Sequence, residues 1–421
     1  MAAVAQLAAV AGGMSASRER KGIAPRELGA CYIPAAMHTM GRFIPLVLVA
    51  LWSVHPAPAQ DIPRGTIVDN IPCVSDPAQT YALYVPSSYS PDRPSPLLMA
   101  FHPAARGRAM VEKYAVAAEQ YGYIVAGSNT SRNGPWSVSA AAVQAMPADL
   151  GRRFSIDGKR VYLTGMSGGA RVALQVALGN NNIAGVIASS AGFPDSQPRP
   201  SVPFAIFSTA GTEDFNYLEM RMLDRKLASP HHLVVFDGGH TLPPDGVAVE
   251  AIEWMELQAM KAGRRGRDDA LVDALLAKRR ARVAGAAKPA DMVRLLDALV
   301  SDFTGLRDVS ADAARAKELL KQGDVKKAVA RDRAADEAEQ RMLRDLFDLE
   351  AGLRDDDNRP VVLFRLRDEL SKLSRTANAP EESAARSQAR RVLRSITAGA
   401  TERVQDRDYL ALLEQYGIRG R

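Results

Sequence analysis

Between Tyr81 and Phe236 the chain repeats one unit: a short apolar run, a turn, then a stretch with helical spacing. The runs are Tyr81–Val85, Leu97–Phe101, Tyr123–Ala126, Val161–Thr164, Gly185–Ala188, Phe204–Phe207 and Leu233–Phe236. Runs this short and this continuously apolar fit strands buried on both faces, as parallel pairing with helical crossovers requires. Ala109–Tyr121, Ala140–Arg153 and Ala170–Leu178 supply the crossovers, and Val249–Met260 reads as a closing helix. The expected fold class is therefore α/β, an open and mostly parallel sheet over residues 61–260.

Gly165-Met166-Ser167-Gly168-Gly169 is a G-x-S-x-G pentapeptide between one such strand and one such helix. A tight turn there needs small neighbours and pushes the serine hydroxyl out at the strand's carboxyl end. The helix that follows aims free N–H groups and its positive dipole end at the same point. A serine hydroxyl is a weak nucleophile and needs a base, and the base needs an orienting acid. Asp214 follows the run Phe204–Phe207, and His240 follows Leu233–Phe236 in Asp237-Gly238-Gly239-His240, so both stand just past strand ends. Ser167 is thus the candidate nucleophile, Asp214 the acid and His240 the base, with Glu213 left open as an alternative acid. Two backbone donors are expected at the oxyanion. Gly168, after the nucleophile, is one. In His102-Pro103-Ala104-Ala105-Arg106, Pro103 has no N–H, which leaves Ala104 or Ala105 as the other. His102 reads as a residue that orders this loop, His231-His232 as a surface pair ahead of a strand, and Trp136 as a candidate wall of a substrate pocket.

On these residues the sequence resembles the α/β-hydrolase superfamily, and within it secreted esterases of the polyhydroxybutyrate-depolymerase and feruloyl-esterase type. The carriers are Tyr81-Ala82-Leu83-Tyr84-Val85-Pro86, Phe101-His102-Pro103, Arg160 through Gly169, Gly211 to Asp214, and Gly239-His240. The match spans roughly residues 65–258. It implies Ser167, Asp214 and His240 as a triad and a carboxylic ester as substrate, bulky or polymeric because no long insertion forms a lid. Two positions depart from the pattern: Pro103 stands where glycine is usual, and Gly168 where a polar residue is common.

Charge separates the two halves. Residues 1–260 hold 20 basic and 20 acidic side chains; the shorter 261–421 holds 34 and 28. The mixed signs argue against a nucleic-acid-binding stripe. This second part has no His, Cys or Trp. After a linker at 261–270, residues 271–421 read as an all-α module, a bundle or degenerate helical repeat. Its expected helices are Leu271–Arg282, Ala290–Asp302, Ala311–Ala330, Asp332–Leu353, Val362–Ser374, Ala385–Ala398 and Asp408–Tyr416. Leu319 through Asp324 resembles the turn of a tetratricopeptide hairpin, without a steady period. This module is the candidate surface for a protein partner.

Near the other end, Met40-Gly41-Arg42, an apolar run Phe43–Val54 and Ala57-Pro58-Ala59-Gln60 read as an export signal over 40–60. The run is too short for a transmembrane helix. Residues 1–39 read as an upstream extension, and the mature chain is expected to be secreted or periplasmic. Two cysteines, Cys31 and Cys73, are too few for a disulfide scaffold or a Cys-based zinc module, and no metal or cofactor is expected. The sequence thus points to an esterase. A serine peptidase with the same triad, and a scaffold whose helical half carries the function, stay open.

Overall fold

The computed structural model describes residues 62–417, Ser196 excepted, so the expected extension and export signal lie outside the described residues. Eight strands form one sheet: β1 (Ile67–Cys73), β2 (Asp76–Tyr84), β3 (Ser95–Phe101), β4 (Ile124–Ser128), β5 (Ile156–Met166), β6 (Ile183–Ser189), β7 (Ala205–Gly211) and β8 (His231–Phe236). Their order is β1-β2-β4-β3-β5-β6-β7-β8. β2 runs antiparallel to both its neighbours, and every later pair is parallel. The crossovers are helices α1 (Gly107–Tyr121), α2 (Trp136–Arg153), α3 (Gly168–Leu178) and α4 (Tyr217–Lys226), and α5 (Asp245–Lys261) closes the unit after β8. The architecture is of the expected α/β class, an open and mostly parallel sheet with helices on both faces.

The period-two alternation of the strands divides the core. Tyr81, Leu83, Leu97, Met99, Val161 and Leu163 pack on one face against α2 and α3. Ala82, Leu98, Ala100, Tyr162 and Phe207 pack on the other, against α1 and α5. Both faces of the central strands are dry, which is why their sequences are apolar without alternation.

The described part of the second half is built of helices: α6 (Asp269–Ala284), α7 (Pro289–Phe303), α8 (Ser310–Lys321), α9 (Gly323–Gly352), α10 (Arg359–Ala377), α11 (Ala384–Thr397), α12 (Ala400–Arg403) and α13 (Arg407–Tyr416). Asp268, Ser383 and Asp406 cap α6, α11 and α13 through their side chains, and prolines open α7 and α10. The first of these helices share a core with Leu257 and Met260 of α5. The later ones form their own around Leu366, Leu370, Val392, Leu393 and Tyr409.

Two expectations need correction. The helices expected at Ala311–Ala330 and Asp332–Leu353 divide instead at Gln322, whose backbone is extended, ahead of Gly323. No breaker stands near Arg331, so α9 runs on for 30 residues. The pair His231-His232 is not a surface pair before a strand. Both residues lie in β8, where the His232 ring stacks on Phe207 at 5.2 Å and its Nδ1 is 3.4 Å from Asp302. Helix α4 lies between Asp214 and β8, in a stretch to which no bounded helix was assigned.

Candidate active site

The parallel strands deliver the expected site residues to one rim. Phe101 of β3 is paired with Gly165 of β5, Met166 with Ser189 of β6, and Gly211 of β7 with Phe236 of β8. The segments that follow these residues carry Ala104, Ser167, Asp214 and His240. Such a rim is where open α/β sheets bind ligands.

Ser167 sits at the β5–α3 junction with φ 53° and ψ −123°, a conformation that costs a non-glycine residue roughly 1–3 kcal/mol. The surrounding sheet enforces it. The Ser167 N–H donates to the Ser189 carbonyl at 2.8 Å, and its carbonyl accepts from Ala170 at 2.9 Å and Arg171 at 3.2 Å. The flanking glycines are steric requirements. A Cβ on Gly165 would lie 2.2 Å from the Gly169 carbonyl carbon, and one on Gly169 would lie 2.1 Å from the Phe101 oxygen. Gly168, the departure from the resembled pattern, has a local reason: Asn133 Oδ1 lies 1.8 Å from where its Cβ would be.

His240 Nδ1 lies 2.7 Å from Asp214 Oδ1, and the Asp214 side chain is wholly buried. That oxygen also accepts the Asn216 N–H at 2.8 Å, while Oδ2 has no partner among the described residues. The Phe215 ring stacks on the imidazole, centroids 3.9 Å apart. Glu213, the alternative acid, faces away: Arg390 and Arg394 hold its carboxylate at 2.5 and 3.2 Å. The acid and base loops are laced together by Thr212 N–H on the Phe236 carbonyl and Glu213 N–H on that of Gly238, both 2.8 Å. A contact from Ser167 Oγ to His240 is not among the hydrogen bonds made by the described residues; apo sites often close that contact only with substrate bound.

Gly168 is the first residue of α3, so its N–H has no intrahelical acceptor. Ala104, expected as the second free donor, is engaged: its N–H donates to His102 Nδ1 at 3.0 Å. The Ala105 N–H goes to the His102 carbonyl at 3.1 Å. The His102 side chain bridges to the amide two residues on and so orders the loop. Burial, with Arg106 nearby, lowers its pKa and favours the neutral ring, in which the Ala104 N–H fixes Nδ1 as the acceptor.

The loop before α2 packs against this one, with Asn133 N–H on the Pro103 carbonyl at 2.8 Å. Trp136 opens α2 beside it, half-buried, with its Nε1 buried and without a partner among the described residues. Sequence reading passed over Asn133; a turn-forming Asn-Gly-Pro carries no sign of an approach to Gly168. It also missed a cavity of about 920 Å³ bordered by Phe215, His240 and Thr241 on one side and by Arg394, Leu410 and Leu413 of the helical half on the other. Among the described residues no group of three or more His, Cys, Asp or Glu could hold a metal ion, and no helix is long and apolar enough to cross a membrane.

No family model matches the sequence, and no curated protein matches it. Among solved structures, the chain is similar to a thermostable esterase at 20% identity and TM-score 0.35, over 45% of this chain and 62% of that one. It is also similar to a substrate-bound fluorophosphonate-binding serine hydrolase of Staphylococcus aureus, at 15% and 0.34, over 45% of this chain and 97% of that one. A feruloyl esterase module from Clostridium thermocellum aligns at 14% and 0.36, over 47% and 88%.

Proposed function

We propose that the chain is a serine hydrolase that cleaves carboxylic esters through an acyl-enzyme on Ser167. The Asp214–His240 hydrogen bond, on the same rim as a serine held at positive φ, carries this reading. Asp214 fixes the imidazole tautomer that leaves Nε2 free to accept a proton. Ser167 Oγ attacks the ester carbonyl carbon while its proton passes to Nε2. The carbonyl oxygen becomes an oxyanion facing the Gly168 N–H. Ala104 adds a second donor by exchanging its bond to His102 for one to the oxyanion. Collapse breaks the acyl–oxygen bond, and the imidazolium gives its proton to the departing alkoxide. Water, deprotonated by the same base, then releases the acid and restores Ser167.

A bulky ester fits this reading, because the cavity beside His240 has room for a group of drug-like size and is walled partly by leucines. Trp136 is proposed to line the opposite, acyl side. Export of the mature chain completes the proposal, resting on the segment at 40–60.

The deciding experiment is hydrolysis of p-nitrophenyl esters by the purified protein. Activity that falls roughly a thousandfold or more in Ser167→Ala, with fluorophosphonate labelling of Ser167 in the wild type, supports the hydrolase. No turnover and no labelling would favour the scaffold reading; turnover of peptide arylamides in preference to esters would favour a peptidase.

A further inference from the structure

We propose that helix α11, in the helical half, is a positioning element for the Asp214 loop, so that triad geometry depends on residues far along the chain. This rests on Asp214 being the acid. The backbone of that loop is held along two edges. Its N–H edge belongs to the base loop, through Thr212 to Phe236 and Glu213 to Gly238. Its C=O edge belongs to α11: Arg391 Nη1 donates to the Thr212 carbonyl at 2.7 Å, and Arg394 Nη1 to the Glu213 carbonyl at 2.9 Å. Past Asp214, the Ser395 hydroxyl lies 3.0 Å from the Phe215 carbonyl, sharing its hydrogen with the Arg391 carbonyl of its own turn. Residues 391, 394 and 395 form one helical face, and they grip the peptide on both sides of the acid.

The grip is itself anchored. Arg391 Nε donates to Glu339 of α9 at 2.9 Å, and its guanidinium lies 4.2 Å from the Tyr217 ring centroid. Arg221 and Arg225 of α4 meet Asp336, also on α9, so the helical half is seated on the helix that follows the acid loop. Among the described residues the Asp214 carboxylate by itself is thinly held, by one backbone N–H besides the imidazole and with Oδ2 unpartnered. Its position is therefore set by the loop backbone, which the base loop holds along the N–H edge and α11 along the C=O edge.

A double variant, Arg391→Ala with Arg394→Ala, tests this in the full chain, alone and combined with Asp214→Asn. A misplacement of about 1 Å costs on the order of a hundredfold, so kcat on a small p-nitrophenyl ester is expected to fall about ten- to a hundredfold, with KM nearly unchanged. In the Asp214→Asn background the pair should add almost nothing, read as the rate of fluorophosphonate labelling of Ser167. Lysine at both positions should restore part of the rate, since an ammonium reaches one carbonyl without the guanidinium fork. Wild-type kcat in the double variant, or an equal further loss in the Asp214→Asn background, would overturn the inference. If the double variant does not fold, Arg394→Ala alone is held to the same two criteria. Should Ser167→Ala keep the wild-type activity, the hydrolase reading itself fails; if it does not, and the α11 variants behave as wild type, only the positioning role is lost.

Discussion

The carbonyl oxygen of Phe101 lies 2.1 Å from the place a β-carbon on Gly169 would take, so β3 and α3 approach as closely as glycine allows. Gly169→Ala would have to push backbone against backbone. It is expected to destabilise the fold by about 1–3 kcal/mol or more, as overpacking does, and to remove activity. Gly168→Ala meets the amide oxygen of an exposed side chain, Asn133, which can rotate away. Thermal unfolding of the two variants should show a clear drop for Gly169→Ala and a small one for Gly168→Ala. Equal drops would mean the elbow is not clamped as described.

Cys73 is fully buried at the end of β1, and burial, reinforced by Asp149, pushes its thiol up to about 12. The thiolate is the reactive form, so Cys73 is expected to resist iodoacetamide at pH 8 in the folded protein and to react in denaturant. Peptide mass spectrometry reads the difference. The folded state also holds this proton more tightly than the unfolded chain, so the contribution to stability falls as pH rises above the unfolded thiol's range near 8.5.

His102 gives the opposite limb. Burial first, then Arg106, lowers its pKa below that of the unfolded chain. Between the two values the unfolded state binds the extra proton, so stability is present above about pH 6.5 and is lost as the pH drops below it. Protonation also removes the acceptor for Ala104 N–H. His102→Asn places an amide oxygen near the position of Nδ1 and does not titrate, so its denaturation midpoint should depend less on pH between 7 and 5. An unchanged dependence would assign the acid limb to other groups.

The cavity beside His240 makes a prediction about substrate size. Leu413→Trp would fill space between α13 and the base loop without touching Ser167. The variant should lose kcat/KM about tenfold or more on esters with bulky groups and keep it on p-nitrophenyl acetate. A parallel loss on both would place the bulky group elsewhere.

The strands from β3 onward were legible because each carries a continuous apolar run, and the loops after β5, β7 and β8 placed Ser167, Asp214 and His240 on one rim. β1 was not legible. It is an edge strand with exposed Asp69, Asn70 and Pro72, and the half-wet face erases the signal. Helix α4 was hidden by YLEMRMLDRK, which buries only Leu218 and Met220. The engagement of Ala104 by His102 turns on a side-chain rotamer, and the grip of α11 on the acid loop joins residues 179 apart in the chain. Periodicity reports which face a helix buries, and nothing about which loop that face will meet.

Ser167 offers the last test, because its backbone and its hydroxyl make opposite demands. At φ 53° and ψ −123° any side chain with a Cβ is strained, and glycine is not. Ser167→Ala and Ser167→Gly should both be inactive, since neither has a nucleophile. Their stabilities should differ. Ser167→Gly relieves the strain and is expected to unfold at a higher temperature than Ser167→Ala, by an amount equivalent to about 1 kcal/mol or more. Glycine elsewhere loosens the unfolded chain and lowers stability, so a gain here can come only from the native conformation. If Ser167→Gly is the less stable of the two, the serine is not held in that conformation in solution, and the argument that the sheet enforces it for catalysis fails with it.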